Sequence, residues 1–506
     1  MNLTAIESCE ANAATAQPTE PTAAMRPTRL SALPRYASAI GPLAAVGILL
    51  GIRRAELPFG DSDVLWGTRA GLDMLNSGRP LHTATHSWAV AGRPWIPNSW
   101  GWDLVLGFAF RIGGLAAIGI LGILLLLGLV LLIGRVAVRV GAHPAWTAIV
   151  FVVVGFFIMQ QLEPRPQFVS YLMVLAIPPL LPSVLYGDRQ RALKATAAIC
   201  LLQNLWMNLH TSAVLGPVIL GAGGLGLLLD RDRPGRDLPR QARRLAAVVG
   251  LSAGSCLLTP YGAAPLTNIE QVRRASVGLI REWAPAGIHG TDPIFGLVAI
   301  AVGVVAAWLA FRARRFDTVA IVAVLAVATA SAIRFTPMLL LVALPEIAVL
   351  AGRIQARPAF VKRVVAAGCA VFVVFGIANA RSFARVSDAV ASPALVAALP
   401  HGCRLVNDYS LGGAVMLARP DVTVSVDGRN DMYGRTLLLS VEAMLSNVPG
   451  TTARLDAARV NCALAPTASL LVAALSRDAD WYVVGHDGYR TLLVRTGTPA
   501  GSAASP

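Results

Sequence analysis

Charge is what this 506-residue chain has least of: Asp, Glu, Lys and Arg make up 14% of it, against 55% hydrophobic residues. Soluble domains carry about 25% charge, so a soluble globular protein is excluded. Lysine is almost missing, with Lys194 and Lys362 alone. No basic groove with interleaved aromatics accompanies the net charge of +15, which argues against nucleic acid as a partner. No short apolar run with a cleavage site follows the Ala-, Thr-, Pro- and Glu-rich residues 1–36. That stretch reads as a disordered tail, and the first apolar block as a retained anchor, not a signal peptide. No internal repeat is visible.

What is present is apolar blocks long enough to cross a bilayer, which takes about 20 residues. Eleven are expected, at 37–55, 114–133, 144–162, 167–186, 195–210, 212–229, 245–260, 293–311, 316–333, 337–351 and 364–380. Arginines fill every second loop: Arg135 and Arg139, Arg189 and Arg191, Arg231 to Arg244, Arg312 to Arg315, Arg353 and Arg357. By the positive-inside bias these loops face the cytoplasm, as does the N-terminus. Arg53 and Arg54 break the pattern. The expected architecture is a mostly α, multi-pass plasma-membrane domain over 37–380. Residues 381–495 alternate short strands with two helical stretches, 435–447 and 450–459, and read as a small extracytoplasmic α/β domain before a frayed tail, 496–506.

Six cysteines are available. Cys403 and Cys462 stand alone in the outer domain, each opening an expected strand, and are the candidate disulfide. Closing that loop contributes roughly 4 kcal/mol in the chain-entropy model.

The most informative stretch is the loop after the first span, 57–113. It carries Asp61 and Asp63, two of the seven histidines and five of the ten tryptophans. Two carboxylates at i and i+2 can chelate one divalent cation, magnesium or manganese, or divide the work, one as base and one as acceptor ligand. They can equally be a solvated acidic loop. Trp66, Arg69 and Leu72 to Leu75 have helical spacing that Asn76-Ser77-Gly78 ends. Arg93 and Trp95 follow within Gly-Arg-Pro-Trp.

This ordered string resembles a family of bacterial polytopic membrane proteins with the GT-C glycosyltransferase fold. The likeness continues through Glu163-Pro164-Arg165-Pro166-Gln167, Trp206-Met207-Asn208-Leu209-His210, Thr259-Pro260-Tyr261-Gly262, Arg281-Glu282-Trp283 and Arg334-Phe335. Thr259 departs from the family's Asn. In the outer domain it covers Asn407-Asp408-Tyr409-Ser410-Leu411-Gly412-Gly413 and Asp427-Gly428-Arg429-Asn430-Asp431-Met432-Tyr433-Gly434. The resemblance spans about residues 37–495. It also implies a second, interfacial helix at Ser99–Gly113.

The expected topology brings Asp61, Asp63, Glu163, Arg165, His210, Tyr261, Arg281, Glu282 and Arg334 to one membrane face, as a cavity would. The resemblance implies transfer of a sugar from a polyprenyl-phosphate donor to an envelope glycan, lipid or protein, by a single inverting displacement. Asp61 or Asp63 is then the base, and Arg165, Arg281 or Arg334 steadies the leaving phosphate. Glu163, Gln167, Asn208, His210, Tyr261, Glu282, Trp283, Arg93 and Trp95 are expected to shape the site. Blander roles are open to them: headgroup contacts for Arg165 and Arg281, helix-to-helix glue for Asn208, a cap for His210. Asp427, Arg429 and Asp431 either close a salt-bridged docking turn or bind acceptor, alongside Asn407 and Asp408. The rival is a non-enzymatic envelope-lipid or glycan scaffold, or a transporter, although transporters usually show repeats and mid-membrane broken helices.

Overall fold

The computed structural model describes residues 59–157, 163–353 and 385–498. The helices are α1 (Ser62–Ser77), α2 (Trp100–Arg139), α3 (Pro144–Phe157), α4 (Gln167–Ala176), α5 (Leu181–Tyr186), α6 (Arg189–Leu209), α7 (Leu215–Leu229), α8 (Leu238–Ser255) and α9 (Ala264–Ser276). Next come α10 (Thr291–Arg312), α11 (Phe316–Ser331) and α12 (Thr336–Ala351). In the sheet domain follow α13 (Asp388–Ala391), α14 (Pro393–Ala397), α15 (Gly412–Ala418), α16 (Asn430–Leu445), α17 (Thr451–Ala457) and α18 (Leu470–Leu475).

Five segments among the described residues are long and apolar enough to cross a membrane: Trp100–Arg139, Gln167–Tyr186, Thr211–Leu229, Thr291–Arg312 and Ile333–Ala351. That is fewer than the eleven expected. The first and last expected spans, 37–55 and 364–380, lie outside the described residues, as do the two tails apart from 496–498. The others fall on helices, residues 158–162 of the third lying outside the described residues, but α11 is shorter, and α6 and α8 carry arginines in their first turns. Leu124, Leu131, Leu201, Leu225, Val304 and Val327 are exposed on these helices, as a hydrocarbon solvent permits. The basic loops share one end of the bundle. Arg314 reaches Asp230 at 3.4 Å and Asp232 at 2.7 Å, and Arg315 pairs with the buried Glu346.

At the opposite end, α1 crosses the first turns of α2. Asp61 caps α1, accepting from the Asp63 backbone N–H at 2.8 Å, and Gly78 ends it at φ 65°. The expected interfacial helix at 99–113 and the span that follows are two helices of α2 that meet at a break, Gly113–Gly114, where the backbone leaves the helical region. The two helices meet backbone to backbone. A Cβ on Gly71 would lie 1.8 Å from the Asp103 carbonyl oxygen, and one on Gly107 2.5 Å from the Gly71 carbonyl carbon. Only glycine permits that approach, and it fixes where Asp63 stands.

The sheet domain has five strands: β1 (Arg404–Asn407), β2 (Thr423–Val424), β3 (Cys462–Pro466), β4 (Trp481–His486) and β5 (Arg490–Arg495). Their order is β2-β1-β3-β5-β4. β1 is parallel to β2 and β3, while β5 is antiparallel to β3 and β4. The segment after α1 is woven into this sheet. Val424 donates to His86 O and Trp88 donates back to Val424 O, at 2.9 and 3.2 Å. Ala84, Val90 and Trp95 share one apolar core with Val406, Val426 and Tyr433. The loop and the sheet domain therefore form one body and not two.

Cys403 and Cys462, the expected disulfide pair, stand as free thiols, both fully buried. They lie in hydrogen-bond contact, and that contact and burial raise the Cys462 pKa far above the usual thiol value.

Replacing Gly71 with Ala is expected to lower the unfolding midpoint of the detergent-purified protein. The gain in helix propensity is about 1 kcal/mol, but a methyl against unyielding backbone costs about 1–3 kcal/mol or more. A midpoint equal to or above wild type would show that the crossing is not tight.

Candidate functional site

Arg165 stands where the acidic residues converge. It is buried in the link between α3 and α4. Its Nη1 lies 2.9 Å from Asp61 Oδ2 and 2.7 Å from Glu282 Oε1, and its Nη2 lies 3.3 Å from both Asp63 Oδ2 and Glu282 Oε2. One guanidinium thus holds three carboxylates. The planar fork suits this sharing in a way a lysine ammonium would not.

The two neighbouring acids are not equivalent. Asp61 spends one oxygen on the α1 N-terminus and the other on Arg165. Asp63 accepts from Trp66 Nε1 at 2.9 Å and lines a cavity of about 380 Å³. Burial, then the Asp61 charge, push the Asp63 carboxyl up to about 7, against the pull of Arg165. Burial also acts to raise Glu282, but the charge and hydrogen bonds of Arg165, with the charge of Arg334, together offset it and the group stays below its ordinary value.

A second cavity, about 930 Å³, adjoins the first. Its walls are Val150, Val154, Val298, Val302, Leu340, Leu344 and Ile347 from α3, α10 and α12. Arg165, Gln167, Glu282 and Arg334 line both cavities. Arg334 stacks over Trp283 at 4.3 Å. Arg281 sits at the polar end of the apolar groove, 90% exposed, with Asp292 at 4.0 Å.

Other expected site residues sort differently. His210 lines the smaller cavity and bonds Ser170 and Ser212 through Nδ1. Glu163 accepts from the Gly60 N–H at 3.2 Å, anchoring the loop that carries the acids. Asn208 accepts from Trp100 and donates to the Asn204 and Leu258 carbonyls, which is the glue role. Tyr261 donates to Leu81 O and acts as a strut. The Arg93 side chain is exposed and lines neither cavity.

The sheet domain's motif divides in two. Asp427 and Arg429 form a fully buried ion pair at 2.7 Å, with the Tyr433 hydroxyl donating to Asp427 and Arg429 donating to Thr85 O. Asn407 bonds the Ser425 and Val426 backbone, and Asp408 pairs with Arg490. These four are structural. Asp431 instead turns into the smaller cavity, with Tyr409, Gly428 and Asn430. A Cβ on Gly428 would lie 2.4 Å from Asp63 Oδ1 and 2.6 Å from Trp66 Nε1, so the sheet domain presses bare backbone against the acid.

The residues present do not fit a divalent cation at Asp61 and Asp63. The guanidinium occupies the point where their oxygens converge, and no group of three or more His, Cys, Asp or Glu suited to a metal exists among the described residues.

Sequence reasoning named no role for Trp66, Asn98, Ser276 or Asn430, all of which line the smaller cavity. The tryptophan richness of the loop was the available signal for Trp66, and the outer-domain motif that contains it was the signal for Asn430.

Arg165→Met is expected to lower thermal stability more at pH 8 than at pH 5. Without the guanidinium the clustered carboxylates acquire raised pKa values, so the penalty appears as they ionise and fades as they protonate. A midpoint difference that does not change with pH would contradict the shared-guanidinium arrangement.

No protein-family model matches the sequence, and no curated protein matches it. Solved structures do match. ArnT from Cupriavidus metallidurans bound to undecaprenyl phosphate superposes with a TM-score of 0.55 at 13% identity, over 92% of this chain and 99% of that one. The Archaeoglobus fulgidus oligosaccharyltransferase tethered with an acceptor peptide gives 0.53 at 11% identity, over 85% of this chain and 69% of that one. At such identities the likeness is one of fold, and it is the likeness the ordered motifs led us to expect: this chain has the GT-C fold of membrane glycosyltransferases.

Proposed function

We propose that the chain is an integral-membrane glycosyltransferase taking its sugar from a polyprenyl-phosphate donor. The observation that carries this reading is the junction of the two cavities at Arg165, Gln167, Glu282 and Arg334. An apolar groove among spanning helices suits a lipid tail, and a polar, acid-bearing cavity at its head suits an acceptor. The undecaprenyl phosphate bound to a structure of the same fold supports the donor class. A scaffold or transporter would need the groove but not an acid at its end. The basic loops lie at the other end of the bundle, which supports placing the acidic site and the sheet domain outside the cell. Nucleotide sugars are cytoplasmic, so a lipid-carried sugar is the donor available there.

Asp63 is the base. It lines the cavity, and its pKa near 7 suits a group that must take a proton at neutral pH. Its carboxylate removes the acceptor hydroxyl proton. The acceptor oxygen bonds to the anomeric carbon, and the carbon–oxygen bond to phosphate breaks on the opposite face. The bonding electrons leave with the polyprenyl phosphate, whose charge Arg334 and Arg281 steady. Configuration inverts. Arg165, already held by three carboxylates, is a positioning residue, and Asp61 keeps it and the α1 N-terminus in place. No step is routed through a metal ion.

With wild-type expression, Asp63→Asn is expected to reduce transfer by about 10²–10⁴-fold, and Asp61→Asn by less. Wild-type kcat/KM should rise with pH up to about 7 and then level off, because only the ionised base reacts. Full activity in Asp63→Asn, or a flat profile, sinks the assignment. Deleting the gene should make a polyprenyl-phosphate sugar accumulate, read by lipid mass spectrometry.

A further inference from the structure

Besides Asp63 and Glu282, the smaller cavity has a third carboxylate, and it comes from the sheet domain. Asp431 Oδ2 accepts from Trp95 Nε1 at 2.9 Å and from Asn98 Nδ2 at 3.0 Å. The arrangement repeats that of Asp63, which accepts from Trp66 Nε1. Two indole-steered carboxylates therefore line one chamber. Burial first of all pushes Asp431 up to about 6, against the Trp95 hydrogen bond, so at neutral pH it is mainly an acceptor of hydrogen bonds.

Its neighbour Asn98 has the same bias, and other polar groups of the lining are already engaged. Since Asn98 gives its amide N–H to Asp431, its Oδ1 points the other way, and that buried oxygen has no partner. Asn430 is already committed, accepting from Tyr409 at 2.8 Å and donating to Ser276 at 3.1 Å. Arg165 is taken by the three carboxylates, and Arg273 is paired with Glu270 at 2.7 Å. Around Asp431 the chamber thus offers hydrogen-bond acceptors beside indole rings. Beside Asp431 an anionic group meets another negative charge. A ligand with several O–H donors and apolar C–H faces is matched on both counts, because hydroxyls donate to carboxylate and amide oxygens while indole faces cover apolar surface.

We propose that the acceptor bound in this chamber is a saccharide, and that Asp431, with Asn98, binds its hydroxyls. This rests on the glycosyltransferase reading above and names the acceptor class for it. It gives the sheet domain a part in choosing the acceptor. The chamber volume, about 380 Å³, lies near the small end of the roughly 300–1,000 Å³ usual for small-molecule sites.

The test uses the full chain in lipid nanodiscs. Saturation-transfer NMR reads the binding of three methyl glycosides, of glucose, mannose and galactose, with per-O-methylated methyl glucoside as the control lacking donors. Native mass spectrometry reads undecaprenyl phosphate separately. The expected result is that wild type binds at least one free glycoside and not the methylated control. Asp431→Asn and Asn98→Leu should each weaken that glycoside about tenfold or more, with unchanged unfolding midpoints and unchanged undecaprenyl phosphate binding. The proposal is overturned if none of the three glycosides binds, if the methylated control competes equally, or if ethanolamine displaces the glycoside. It is also overturned if both variants bind like wild type. Glycoside binding without undecaprenyl phosphate binding would instead refute the donor reading and leave the saccharide site standing.

Discussion

The site depends on a single guanidinium shared among carboxylates. Three acids close to one another at a membrane surface repel strongly, and burial raises the cost of each charge. Arg165 answers three of them, and it can do so because its fork presents donors in two directions at once. The acids come from α1 and from the turn that carries Glu282, so the ion cluster also ties the loop to the helical bundle. Asp63 can stay poised between protonation states because Arg165 offsets only part of what burial and Asp61 do to it.

The loop and the sheet domain complete each other. The loop's His86 and Trp88 extend the pairing of β2, while the sheet domain returns Gly428 and Asp431 to the cavity. Neither half encloses the chamber alone. The buried Asp427–Arg429 pair fixes the turn from which Asp431 projects. A buried ion pair adds little net stability once desolvation is counted, and its value here is to hold a geometry.

Much of the fold was legible in the sequence. The alternation and turn residues of the sequence mark strands at 405–409, 462–466, 481–484 and 491–495, within two residues of β1, β3, β4 and β5, while the one marked at 422–427 shrinks to Thr423–Val424. The break between interfacial helix and span fell at Gly113, where a glycine pair sits. Spacing could not separate Asp61 from Asp63, since the choice rests on which carboxylate the α1 N-terminus claims. Nor could it divide Asp427 from Asp431, which share one motif and face opposite ways. The cysteine pair was correctly seen as neighbours. Arg93 and Tyr261 were drawn in by motif order, which carries no information on which way a side chain points.

The two cavities have separate walls and meet at four side chains. On the reaction proposed above, neither substrate has to pass through the other's compartment. Both can be in place before chemistry begins, and no covalent sugar on the protein is required. The steady-state kinetics would then be those of a ternary complex, with intersecting double-reciprocal lines and not parallel ones. The junction at Arg165, Gln167, Glu282 and Arg334 is where such an enzyme would exclude water from competing with the acceptor.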